Sequence, residues 1–60
     1  MANPRFLKPE YIARVLDVTP KTVRLWILSG EIPGGYRFGN SLRVDKSEFM
    51  EYLRSKKTLN

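Results

Sequence analysis

The sequence predicts a mainly α fold with one small β-hairpin, in the order helix, turn, helix, two-stranded wing, helix. Three observations carry this expectation. Two apolar-striped segments, residues 9–16 and 20–29, are separated by only three or four residues. Tyr36-Arg37-Phe38 and Leu42-Arg43-Val44 each alternate apolar with cationic residues, on either side of the turn-rich linker Gly39-Asn40-Ser41. The run "DKSE", Asp45 to Glu48, then opens a third apolar-striped segment.

Pro9 suits a first helical position, where its missing N–H is no loss. Glu10 follows in the first turn, where a carboxylate complements the helix dipole. Ile12, Ala13, Val15 and Leu16 then recur at helical spacing. Asp17 falls at the turn, in a residue type that tolerates the left-handed conformation, and Val18 points back to the core. Thr19 is a good N-cap and Pro20 a good first residue for the second helix. Its stripe is Val23, Trp26 and Ile27, and Gly30 is its stop. Two short helices on so tight a turn read as a helix-turn-helix.

After Gly30, Ile32-Pro33 leads into Gly34-Gly35, which reads as a flexible corner. The hairpin follows. Tyr36, Phe38, Leu42 and Val44 are expected on one side of it, with Arg37 and Arg43 on the other. Asp45 and Glu48 form a capping-box analogue for a third helix that carries Phe49, Tyr52 and Leu53 and ends near Ser55. The whole is a single winged helix-turn-helix domain over residues 1–60. Its core spans about 7–55, behind a short N-terminal arm without periodicity and ahead of a basic tail. Leu7, Ile12, Ala13, Leu16, Val18, Val23, Trp26, Ile27, Ile32, Phe38, Val44, Phe49 and Leu53 are the expected core.

Composition bounds the function. A chain of 60 residues buries only about 60% of its unfolded surface. It has neither cysteine nor histidine, which excludes disulfides and the usual zinc and haem ligands. No metal or other cofactor is expected. Lys and Arg number 11 against 6 Asp and Glu, a net charge of +5. That excess points to an anionic partner, nucleic acid before membrane. No apolar run approaches the ~18 residues of a membrane span, and MANPRF lacks the apolar centre of a signal peptide. A cytoplasmic, nucleoid-associated protein of a bacterial host is expected. The acids Glu10, Asp17, Glu31, Asp45, Glu48 and Glu51 are scattered, and catalysis needs a pocket of tuned groups. The chain is therefore not expected to be an enzyme. "GGYRFGN" is too short for a nucleotide cradle, and no Lys-Ser/Thr pair follows at P-loop spacing.

The outward face of the second helix carries Lys21, Arg24, Leu25 and Leu28 opposite its apolar stripe, flanked by Thr22 and Ser29. In a helix-turn-helix, the N-terminal residues of the second helix meet base edges in the major groove. Lys21 and Arg24 suit guanine O6/N7 or phosphate, and the Thr19 and Thr22 hydroxyls suit phosphate. Of the outward-facing Leu25 and Leu28, one suits packing on Tyr36 or a thymine methyl and one a neighbouring protomer, and Leu28 is expected to pack within the monomer. Between Val18 and Val44 the cations are Lys21, Arg24, Arg37 and Arg43, and the one acid is Glu31. A cationic hairpin bearing Arg37, Asn40, Ser41 and Arg43 can follow the backbone into a minor groove, where arginine is favoured. The competing reading is a structural hairpin whose arginines are solvated or pair with Glu10 or Asp45.

These residues resemble the excisionase family, small winged helix-turn-helix proteins related to the MerR-type reading head. The resemblance rests on Leu7, Ala13, Leu16, Val18, Thr19, Thr22-Val23, Trp26-Ile27, Gly30 and Ile32-Pro33. Gly39, Arg43-Val44, Phe49 and Tyr52-Leu53 continue it. Lys8 stands where the family caps its first helix with Ser or Thr, and Asp17 replaces the turn Gly. The resemblance implies that the second helix enters a major groove and the wing an adjacent minor groove. It implies contact through Lys21, Thr22, Arg24, Leu25, Arg37 and Arg43. It also implies a recombination directionality factor that binds repeated sites on double-stranded DNA cooperatively, bends them and directs an integrase toward excision of a phage or mobile element. Arg54, Lys56 and Lys57 in the tail are candidates for contact with integrase or DNA. With no heptad segment in the chain, a monomer in solution that self-associates on DNA is expected. Two other readings remain open: a small MerR-like transcriptional regulator, and the DNA-binding head of a phage packaging or assembly protein.

Overall fold

The computed structural model describes residues 5–58. It places β1 at Phe6–Leu7, α1 at Pro9–Leu16, α2 at Pro20–Ser29, β2 at Gly35–Phe38, β3 at Ser41–Asp45 and α3 at Lys46–Ser55. This is a winged helix-turn-helix, with one strand more than expected. The helices follow from local signals. Lys8 gives α1 no side-chain cap. Thr19 Oγ1 caps α2 by accepting the Thr22 N–H at 3.2 Å. Asp45 caps α3 by accepting the Glu48 N–H at 3.1 Å. Asp17 ends α1 in the left-handed region at φ 60°, and its N–H donates to Ala13 O. Gly30 ends α2 in the same region at φ 90°.

The arm is not wholly irregular. Phe6 and Leu7 pair antiparallel with Asp45 and Val44, so the sheet has three strands in the order β1-β3-β2. Lys46 N–H donates to Arg5 O at 2.7 Å, extending that contact. Two residues make too short a strand to show periodicity, so the pairing had no signal in the sequence. The remainder of the arm, residues 1–4, lies outside the described residues, as does the end of the tail at 59–60.

The expected faces of the wing need correction. Phe38 pairs with Ser41, Arg37 with Leu42, Tyr36 with Arg43 and Gly35 with Val44. The turn is therefore the two residues Gly39-Asn40, not the three that end at Ser41. Gly39 takes φ +64° and Asn40 does not share the positive φ, the pattern of a II′ hairpin turn. A one-residue change of register exchanges the faces of a strand. Directly opposed residues share a face, so Tyr36 and Phe38 lie with Arg43 and Ser41, while Leu42 and Val44 lie with Arg37 and face inward. Phe38, expected in the core, is 52% exposed. It stacks on Tyr36 with ring centroids 6.0 Å apart, and Phe6 meets both rings edge-on at 5.1 and 5.5 Å.

Leu7, Ile12, Ala13, Val23, Ile27, Ile32, Val44 and Phe49 form the core, and Leu16, Val18, Trp26, Tyr52 and Leu53 pack half-buried around it. Gly34-Gly35 is a packed corner, contrary to the flexible one expected. A Cβ on Gly34, at φ +80°, would lie 2.8 Å from Glu48 Cβ, and one on Gly35 would lie 2.7 Å from Ile27 Cγ2. The two glycines let the base of the wing close onto α2 and α3.

Candidate nucleic-acid interface

With Ile12 and Ala13 of α1 and Val23 and Ile27 of α2 in one core, and Trp26 half-buried beside it, Lys21, Arg24, Leu25 and Leu28 of α2 face solvent. Thr19 and Thr22 meet at its N-terminus, their hydroxyl oxygens 2.9 Å apart. The Thr19 hydroxyl is therefore committed to the cap and to Thr22 before any ligand approaches. Lys21 projects freely from the first turn. Leu25 and Leu28 are 57% and 59% exposed, so Leu28 does not pack within the monomer as expected. The stripe of α2 is already complete without it.

Arg24 is held. Its Nη2 donates to Glu10 Oε2 of α1 at 2.6 Å. The competing reading of the cations foresaw a pairing with Glu10, but for a wing arginine rather than for α2. Arg37 and Arg43 make no ion pair among the described residues. Arg43 lies half-buried with its Nη1 donating to Leu42 O at 2.8 Å, and Arg37 is exposed. Asp45 is engaged by Arg5 at 3.4 Å instead.

The wing tip and the two helices enclose a cleft of about 520 Å³ lined by Lys8, Pro9, Glu10, Arg24, Asn40, Ser41, Leu42 and Arg43. Four residues expected to meet DNA, namely Arg24, Asn40, Ser41 and Arg43, are brought together here. Lys8 and Glu10 join them, although neither was expected to meet DNA. They sit at the start of α1, and only the packing of that helix brings them beside the wing. Three cations against one carboxylate give the cleft a positive field suited to an anionic backbone. Lys21, Thr22 and Leu25 lie outside it, along α2. Arg37 lies on the other wing face from Arg43.

The tail residues stand apart. Lys56 Nζ is 3.5 Å from Glu31, which follows the C-terminus of α2, and Arg54 pairs with Glu51 at 3.3 Å. The start of the tail is thus tied to the end of α2 opposite Thr19 and Lys21, about 15 Å away along a ten-residue helix. Lys57 is exposed.

An exposed helix led by Thr19-Pro20-Lys21, set beside a cationic two-stranded wing, defines a winged helix-turn-helix protein. The chain belongs to the helix-turn-helix domain family, whose pattern matches residues 6–57. That membership supports DNA as the partner. No curated protein and no solved structure matches it. No helix among the described residues is long and apolar enough to cross a membrane.

Proposed function

We propose that this chain is a DNA-binding and DNA-bending protein of the excisionase kind, which biases a recombinase toward excision and performs no chemistry of its own. The observation that carries the DNA contact is the cleft in which Arg24 and Lys8 from the helices meet Arg43 and Asn40 from the wing. In this reading α2 enters a major groove, the wing follows the strand toward the adjacent minor groove, and the cleft takes the phosphates between them. Single heads bind weakly, so occupation of neighbouring repeats supplies the affinity by making the second contact effectively intramolecular. The resemblance to excisionases supports the recombination role.

Fluorescence anisotropy against duplex DNA across a salt series tests the contact. With ~4 to 6 phosphates neutralised, the log–log slope is about −4 to −5. A flat response with no preference over random duplex removes the DNA reading. Sedimentation of the free protein, footprinting and a bending assay test the assembly. The expected result is a monomer that protects direct repeats and bends them. A stable dimer protecting one palindrome on straight DNA, without effect on integrase-mediated excision, replaces excisionase with transcriptional regulator.

A further inference from the structure

Glu10 and Arg24 are 14 residues apart in sequence and belong to different helices, yet their side chains meet at 2.6 Å. Both are about half exposed, at 53% and 47%. An exposed pair of this kind adds little to stability, ~0–1 kcal/mol, so the pair does not explain itself as a brace for the fold. Glu10 is also the one carboxylate on a cleft that carries three cations, Lys8, Arg24 and Arg43. We propose that Glu10 is a positioning residue that sets the selectivity of Arg24, withholding its guanidinium from phosphate and leaving it for a neutral base edge. The inference rests on the DNA-binding reading of the cleft.

The argument is one of charge. A guanidinium has five N–H donors, and Glu10 receives from Nη2. The remaining donors can still form a two-point contact with guanine O6 and N7, which are neutral acceptors. A phosphate seated on the same guanidinium would stand beside the Glu10 carboxylate, and like charges in one site repel. The pair therefore tolerates a base edge better than a backbone oxygen. Specificity gained by making the wrong partner unfavourable costs total affinity. The expected signature is accordingly opposite changes in affinity and discrimination when Glu10 is altered.

The test uses a duplex selected by the wild-type chain from a random pool, its point-substituted versions, and random duplex. Glu10→Gln keeps the size and an acceptor but removes the charge. It is expected to bind random duplex several-fold more tightly and to steepen the salt slope by about one. It is also expected to lose ~10-fold discrimination at one guanine position. Glu10→Asp retains the charge at the start of α1 but withdraws it from Arg24. It is expected to lose the same discrimination and to steepen the salt slope in the same direction, because Arg24 is again released to phosphate. In an Arg24→Ala background neither change alters discrimination further. Circular dichroism melts verify that each variant is folded. Wild-type discrimination at every position in both Glu10 variants overturns the proposal, as does an equal loss with and without Arg24. Failure of the DNA reading is distinct, because the wild-type chain itself would then show neither preference nor salt dependence.

Discussion

Tyr36 stands directly opposite Arg43 across the wing. That single pairing sets Tyr36 and Arg43 on the same, outer face of the sheet and turns Leu42 and Val44 toward the core. It depends on the chain reversing in two residues, at Gly39-Asn40.

Gly39 carries the reversal at φ +64°, and a Cβ there would meet nothing within 4 Å. The cost of a side chain is therefore backbone strain alone. Gly39→Val is expected to lose about 1–3 kcal/mol. Gly39→Asn is expected to lose less, because Asn enters positive φ more readily. Urea unfolding of the two variants checks the order. Equal loss in both would show that the register is not set by this turn.

Phe49 and Phe38 separate the core from the wing surface. Phe49 is 1% exposed and Phe38 52%. Phe49→Ala is expected to cost ~3–5 kcal/mol, most of what a small chain possesses at ~0.05–0.15 kcal/mol per residue. Phe38→Ala removes its ring contacts with Phe6 and Tyr36, about 0.5–1.5 kcal/mol for each pair. Thermal melts followed by circular dichroism should show a largely unfolded first variant and a cooperative second one.

Tyr52 makes stability fall at alkaline pH. Burial pushes its hydroxyl above the ordinary value of 10.0, and neighbouring Glu31 acts in the same direction, while Lys56 opposes. The folded state therefore keeps a proton that the unfolded chain releases near pH ~10. The associated stability is complete below that pH and is lost as the pH rises through the folded value. Tyr52→Phe cannot ionise. The stability advantage of wild type over this variant should shrink steadily from about pH 9 upward, as read by melts at matched ionic strength. A constant difference across that range would remove the linkage.

Arg37 is the exposed wing cation and, unlike Arg43, makes no side-chain hydrogen bond among the described residues. Arg37→Ala is expected to weaken binding nearly uniformly across sequences and to lower the salt slope by about one. Anisotropy titrations on point-substituted duplexes check this. A change confined to one base position would make Arg37 a reader of sequence.

The helices were legible because their signals act within a few residues. Thr19 reaches the Thr22 N–H, Asp45 reaches the Glu48 N–H, and Gly30 supplies a conformation that other residues resist. Such contacts form from neighbouring atoms, so the residue types at those spacings are enough to read them. The apolar stripes placed the core for the same reason, although Leu16, Val18, Trp26 and Leu53 are only half-buried around it and Phe38 is exposed.

Tertiary structure decided what depends on distant partners. The wing faces turned on whether Ser41 belonged to the turn or the strand, and both readings alternate equally well along the chain. Phe6-Leu7 became a strand because Val44 and Asp45 offered it an edge, nearly forty residues away. Arg24 looked free on its own helix and is paired because the packing of α1 brings Glu10 across to it. A residue's type states what it can bond; which partner it meets is set by how the helices and sheet pack, and that packing is a property of the whole chain.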